Sequence, residues 1–234
     1  AALKKTALRR TRVETIVAPP FVYIADLKKL VGSGRIALGA QDVCWEKEGA
    51  YTGEISAAML ISVGVSHVIV GHSERRALGE TDALIARKVS ATITGGLTAI
   101  LCVGESERDA SGHHLTVVED QLRAVCARVP RSALQRLVVA YEPVWAISSG
   151  DGKGHTATPE DAHEMTIFIR RVLTSVYTRV SAERVRILYG GSVNEENASI
   201  LIREGRADGF LVGGASLDPR AFAAILAATN DSRL

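Results

Sequence analysis

Short apolar runs rich in Val and Ile recur along the chain, at residues 14–18, 36–41, 67–70, 98–103, 137–141, 185–188 and 209–212. They are apolar almost throughout instead of alternating with polar residues, the pattern of parallel strands covered on the outside by helices. Between them lie longer stretches with helical spacing and recognisable caps. Thr158-Pro159-Glu160-Asp161 sets a cap residue before a proline and puts acids in the first turn; Asp218-Pro219 opens the last helix in the same way. The alternation runs on without a linker or low-complexity break, which predicts a single α/β domain over residues 1–234 built on a parallel sheet.

Such a sheet is either open and doubly wound or closed as a (β/α) barrel. No GxGxxG follows an early strand, and polar residues sit after nearly every strand, as in barrels whose strand C-terminal loops all carry function. Seven runs are visible, whereas a barrel of this kind needs eight to avoid two unpaired edges. The opening Ala1-Ala2-Leu3-Lys4-Lys5 reads as the tail of a helix already under way. We therefore expect one strand and most of one helix ahead of residue 1.

Composition narrows the setting. Hydrophobic residues make up 47% and charged residues 23%, the balance of a globular protein with a sizeable core. The formal net charge is +2, and acids and bases are intermixed along the chain, which predicts no polybasic face for nucleic acid or membrane. The three cysteines, Cys44, Cys102 and Cys126, have no CxxC spacing and fit a reducing cytoplasm better than a disulfide framework or a zinc site. No apolar run spans a bilayer.

Three stretches carry candidate chemistry. Val70-Gly71-His72-Ser73-Glu74-Arg75-Arg76 follows a strand directly, with Gly71 allowing a tight turn and Ser73-Glu74 starting a helical turn whose N–H groups can face the imidazole. That placement favours a neutral ring able to donate a hydrogen bond. In Tyr141-Glu142-Pro143-Val144-Trp145-Ala146-Ile147 a carboxylate sits at the end of an apolar strand, so it is either paired or used. Pro143 and Trp145 would anchor the glycine-rich span Ser148-Ser149-Gly150-Asp151-Gly152-Lys153-Gly154, and a helix begins near Pro159, which is the layout of a closing lid. Tyr189-Gly190-Gly191-Ser192 and Val212-Gly213-Gly214-Ala215 end two late strands, where paired glycines let backbone N–H groups approach an anion.

Gly-His-Ser-Glu-Arg-Arg, Tyr-Glu-Pro-Val-Trp-Ala-Ile, Tyr-Gly-Gly-Ser-Val and Gly-Phe-Leu-Val-Gly-Gly-Ala-Ser occur in this order and resemble the triosephosphate isomerase family. So do Gly39-Ala40-Gln41-Asp42 and Gly49-Ala50-Tyr51-Thr52-Gly53-Glu54. The resemblance runs from about Val17 to the C-terminal helix. It implies a (β/α)8 TIM barrel, a triose phosphate substrate and proton transfer between adjacent carbons, with no metal and no cofactor. Carried over by position, Glu142 is the base and His72 the electrophile. Ser192, Gly213, Gly214 and the lid position Ser148 bind phosphate. Glu74 supports the site, and Tyr189 latches the lid near Ala157. The segment from Gln41 to Glu54 resembles the loop that crosses a homodimer interface in this family, and Val43, Trp45 and Tyr51 in it are awkward to leave in water.

Two departures from the family pattern bear on the site. The family has an Asn and a Lys, two residues apart, at the end of its first strand, and no segment here matches them. In the lid, Ser148 stands where the family usually has Gly, and about four extra residues precede Thr156-Ala157-Thr158-Pro159. A catalytically impaired phosphate-binding barrel is the alternative these departures leave. A different phosphate-binding barrel, such as a sugar-phosphate epimerase, is disfavoured by the Glu-Pro-Val-Trp lid start and by the lack of metal-ligand histidines at strand ends.

Overall fold

A computed structural model describes residues 12–32, 34–147 and 157–232. Seven strands form one parallel sheet in sequential order: β1 (Thr15–Val17), β2 (Ile36–Ala40), β3 (His67–Val70), β4 (Thr98–Val103), β5 (Leu137–Tyr141), β6 (Arg186–Tyr189) and β7 (Gly209–Phe210). All seven apolar runs become strands. The sixth starts one residue later than its run, and the seventh is cut to two residues, although the Leu211 N–H still donates to the Tyr189 carbonyl at 3.0 Å.

Helices separate the strands, and their starts follow from local chemistry. α1 (Ile24–Val31) follows the Pro19-Pro20 turn. α2 (Ala57–Ser62), α3 (Ser73–Ala77) and α4 (Asp82–Thr94) are capped by the side chains of Ser56, His72 and Thr81. α5 (His113–Cys126) packs between α4 and α6 (Pro159–Val176). At α6 the Thr158 hydroxyl and the Asp161 carboxylate exchange hydrogen bonds with each other's backbone N–H, a full capping box ahead of Pro159. α7 (Arg179–Glu183), α8 (Ala198–Arg203) and α9 (Pro219–Asp231) complete the set, with Asp218 capping the last.

Side-chain alternation splits the core in two. On β4, Ile100 and Cys102 point inward while Leu101 and Val103 point to the helices; on β5, Val138 and Ala140 point inward against Val139 and Tyr141 outward. Ile16 of β1 and Leu211 just beyond β7 join the same inner cluster. The sheet is therefore curled so that its first and last strands face one lumen, and Glu14 reaches Arg186 across its floor. Among the described residues β1 pairs only with β2 and β7 only with β6. The architecture is that of a (β/α)8 barrel from which the described residues lack the strand joining β7 to β1.

One expectation needs correction. Charges intermixed along the chain are sorted in space, because each passage from helix to strand ends at one pole of the barrel and each passage from strand to helix starts at the other. The helix-to-strand turns at 12–14, 32–35, 127–136, 177–186 and 203–208 hold ten arginines and four carboxylates. The described strand-to-helix loops at 41–56, 71–81, 104–112, 142–147, 190–197 and 211–218 hold thirteen carboxylates and four cations. A net charge of +2 conceals a basic pole and an acidic one.

Candidate active site at the strand C-terminal ends

Glu142 follows β5 and is only 2% exposed. Its N–H donates to the Val103 carbonyl at 2.8 Å, and the Gly190 N–H donates to the Tyr141 carbonyl at 2.7 Å, so β5 is gripped by both neighbours up to the carboxylate. That closeness dictates glycine on either side. A Cβ on Gly104 would lie 1.8 Å from the Glu142 carbonyl oxygen, and one on Gly190 would lie 2.9 Å from Glu142 Cγ.

His72 arrives from β3 through Gly71, whose φ of +76° only glycine adopts without strain. The imidazole caps α3 by accepting the Glu74 N–H at Nδ1, 3.3 Å away. With Nδ1 accepting, the proton of the neutral ring resides on Nε2. Nε2 lies 3.1 Å from Glu142 Oε1, while Glu142 Oε2 accepts the Ser73 N–H at 3.0 Å. The Nε2 contact lacks the alignment of a hydrogen bond, which leaves Oε1 with an unused acceptor site among the described residues. Burial pushes the Glu142 pKa above the ordinary carboxylate value, and His72, the Ser73 N–H and the Cys102 thiol oppose that rise without cancelling it. A carboxylate that is buried, held at one oxygen and unsatisfied at the other has the arrangement a general base needs.

The other positions singled out in the sequence fall around this pair. The Ser192 hydroxyl donates to the Ala146 carbonyl at 2.9 Å, tying the loop after β6 to the turn after Glu142. A Cβ on Gly213 or Gly214 would meet nothing within 4 Å, so the backbone there borders open space. Tyr189 is buried with its ring 6.5 Å from that of Tyr141; its hydroxyl has no hydrogen-bond partner among the described residues, and burial with Asp161 nearby raises its pKa to about 12. The Glu74 side chain is 87% exposed, with its carboxylate 3.7 Å from His72 Nδ1, so its close contact with the imidazole runs through its backbone N–H. Ser148 and the glycine-rich span to Gly154 lie outside the described residues.

Three features escaped the sequence reading. Glu105, buried just after β4, accepts from the Tyr141 hydroxyl and from Trp145 Nε1, both at 2.8 Å, and its carbonyl accepts the Val144 N–H. It thereby fixes the turn that leads out of Glu142. Arg108 lies over the Trp145 ring and pairs with Asp161 and Glu164 at the start of α6. Cys102 approaches Glu142 from inside the barrel; burial, and next the Glu142 carboxylate, raise its thiol well above the usual pKa. The available signal was the placement of Gly104-Glu105 straight after a strand, equivalent to that of Glu142.

Behind α3 lies a buried ion cluster. Lys88, 1% exposed, binds both Asp42 carboxylate oxygens at 2.7 and 2.8 Å and Glu80 at 2.5 Å, and Arg75 reaches the same two acids. Desolvation alone would raise the Glu80 pKa, but the hydrogen bonds from Lys88 and Arg75 hold it below its ordinary value. The cluster fastens the root of the loop from Gln41 to Glu54 to the helix that presents His72. Within that loop Val43 is buried in the chain's own core, so it needs no partner, whereas Trp45 packs edge-on against a Tyr51 that stays 39% exposed.

The Triosephosphate isomerase family model matches residues 1–229. A protein of Carboxydothermus hydrogenoformans named "Triosephosphate isomerase" is 50% identical over 216 residues, covering 92% of this chain and 84% of its own. Proteins of the same name from Geobacter metallireducens and an Azoarcus species are 47% and 49% identical over 221 residues, covering 93% of this chain and 86% and 88% of their own. With a parallel curled sheet and, at its strand ends, a buried Glu142 beside a part-exposed His72, the chain belongs to the triosephosphate isomerase family.

Proposed function

We propose that this chain interconverts dihydroxyacetone phosphate and D-glyceraldehyde 3-phosphate, with Glu142 as the base and His72 as the electrophile. The observation that supports the assignment of roles is the buried Oε1 of Glu142, without a hydrogen-bond partner among the described residues and 3.1 Å from Nε2 of His72. Glu142 takes the proton from the carbon next to the carbonyl. The C–H electron pair moves to form the enediolate, and Nε2–H donates to the oxygen on which negative charge develops. Glu142 then returns the proton to the neighbouring carbon, while the hydroxyl proton passes through His72 Nε2 from one substrate oxygen to the other, so that carbonyl and hydroxyl exchange places. Atoms and electrons balance without a metal or nucleotide.

The phosphate is held by backbone N–H groups of Ser192, Gly213 and Gly214, with Ser148 contributing from the lid. Tyr189, whose buried hydroxyl has no hydrogen-bond partner among the described residues, latches the lid near Ala157, and Glu74 supports the imidazole. Excluding water protects the enediolate from misplaced protonation and loss of phosphate. The protein is a single-domain cytoplasmic enzyme and a homodimer joined through the loop from Gln41 to Glu54, whose half-exposed Tyr51 supports that reading.

Glu142→Asp keeps the charge and withdraws the carboxylate by one methylene. Turnover should fall about 10²-fold or more with little change in KM, since misplacement by about 1 Å has that effect. Undiminished turnover in a steady-state assay with glyceraldehyde 3-phosphate would remove Glu142 from the role of base.

A further inference from the structure

The basic pole at the N-terminal ends of the strands takes no part in the chemistry above. Every cation on its helix-to-strand turns is an arginine, and all ten are exposed. The turn before β5 carries Arg128, Arg131 and Arg136, the segment before β6 carries Arg184, and the turn before β7 carries Arg203 and Arg206. None of these six pairs with a carboxylate among the described residues. The four acids there are Glu14, Glu183, Glu204 and Asp208, of which Glu14 is engaged by Arg186, Glu183 by Arg179 and Asp208 by Arg170. At the rim of this pole, α6 and α7 enclose an open groove of about 510 Å³ lined by Arg170, Arg171, Arg179, Thr174 and Ser175, with Glu183 its one carboxylate.

We propose that this pole is a docking surface for the phosphodiester backbone of duplex nucleic acid. Guanidinium groups match phosphate oxygens in a planar, two-pronged geometry that ammonium groups lack, and lysine is absent from these turns. Single-stranded nucleic acid needs exposed rings on which bases stack. The aromatic ring in these turns, Tyr177, is half-buried, with its hydroxyl donating to the Val129 carbonyl at 2.7 Å. A membrane surface needs apolar or aromatic side chains to insert, and among the described residues this region offers scattered aliphatic ones, Leu30, Val176 and Val180, and no exposed large aromatic. Backbone contact with a duplex needs neither. The opposite, acidic pole is repelled by the same polyanion, so the bound molecule presents its catalytic mouth to solvent and keeps working.

The test uses the full chain and a labelled DNA or RNA duplex of about 20 base pairs, titrated by fluorescence anisotropy across a salt series. Binding in the range of about 10⁻⁴–10⁻⁶ M near physiological salt is expected, weakening steeply as salt rises. The triple variant Arg128→Glu/Arg184→Glu/Arg206→Glu should bind at least ~10-fold more weakly, with a salt slope shallower by about 3. Its isomerase kcat/KM should be unchanged, which also reports correct folding; the corresponding triple Lys variant should retain most of the salt slope. A saturating duplex should leave wild-type kcat/KM intact. The proposal is overturned by any of three results: no duplex binding at about 50 mM salt; affinity and slope unmoved by charge reversal; or a duplex that competes with substrate, which would place it in the catalytic mouth. Capture by phosphatidylserine vesicles without duplex binding overturns it as well.

Discussion

At the scale of single residues, Glu142 is caught between opposing demands. To act as the proposed base its carboxylate must be ionised, yet burial favours the neutral form and prevails over His72, the Ser73 N–H and Cys102, so the pKa is raised. Two consequences follow. The acid limb of kcat/KM should lie above the ordinary carboxylate value of 4.5, since the free enzyme must lose that proton first. For stability, a carboxyl whose folded pKa is raised binds more protons folded than unfolded. Stability is therefore lost as pH climbs from the unfolded pKa to the folded one, and the loss persists at neutral pH. Glu142→Gln removes that charge, so at pH 7 it should raise Tm while lowering kcat by roughly 10²–10⁴-fold. Calorimetry at pH 4 and pH 7 checks the sign: the Tm gain should be larger at pH 7. A variant less stable than wild type at both would show that the carboxylate's hydrogen bonds outweigh its desolvation.

At the scale of elements, the strand ends of β4, β5 and β6 act as one part. The Glu142 backbone is hydrogen-bonded to Val103, Gly104 and Gly190 leave no room for a Cβ beside it, and Glu105 holds the exit turn through Tyr141 and Trp145. Gly104→Ala places a methyl group where the Glu142 carbonyl oxygen now sits. One of the two must move by an ångström or more, so we expect kcat to fall about 10²-fold with the fold retained by circular dichroism; wild-type turnover would show that the carboxylate tolerates displacement. The sequence displayed His72, Glu142 and the glycine turns because each is marked within a few residues: strand, turn glycine, polar group. It did not display Glu105 or Cys102 as parts of the site. Their meeting with Glu142 is set by the register Cys102↔Ala140 and Val103↔Tyr141, a pairing across some 40 residues that no local pattern encodes. The same limit explains the charge poles, which appear only once helix and strand ends are stacked.

At the scale of the whole molecule, the buried ion cluster links a surface to the proposed catalytic pair, Glu142 and His72. Asp42, at the root of the loop from Gln41 to Glu54, meets Lys88 and Arg75; Arg75 lies on α3, whose first N–H holds Glu142 Oε2 and whose cap is His72. The half-exposed Tyr51 and the exposed Met59 and Ile61 lie on or just past that loop. If a second copy covers them, association orders the loop, and the ordered loop steadies α3 through Asp42. Dissociation should then loosen His72 and Glu142 together, although neither touches the interface. Diluting the protein should lower specific activity along the same curve on which sedimentation velocity shows dimer giving way to monomer, and Tm should fall with concentration, as mass action requires of any associating fold. Tyr51→Asp should shift both curves toward higher concentration. Lys88→Met should lower activity without shifting the sedimentation curve, since it cuts the connection behind the interface and leaves the contact surface in place. A species that sediments as a monomer with full turnover at every concentration would disprove the coupling and the proposed dimer together.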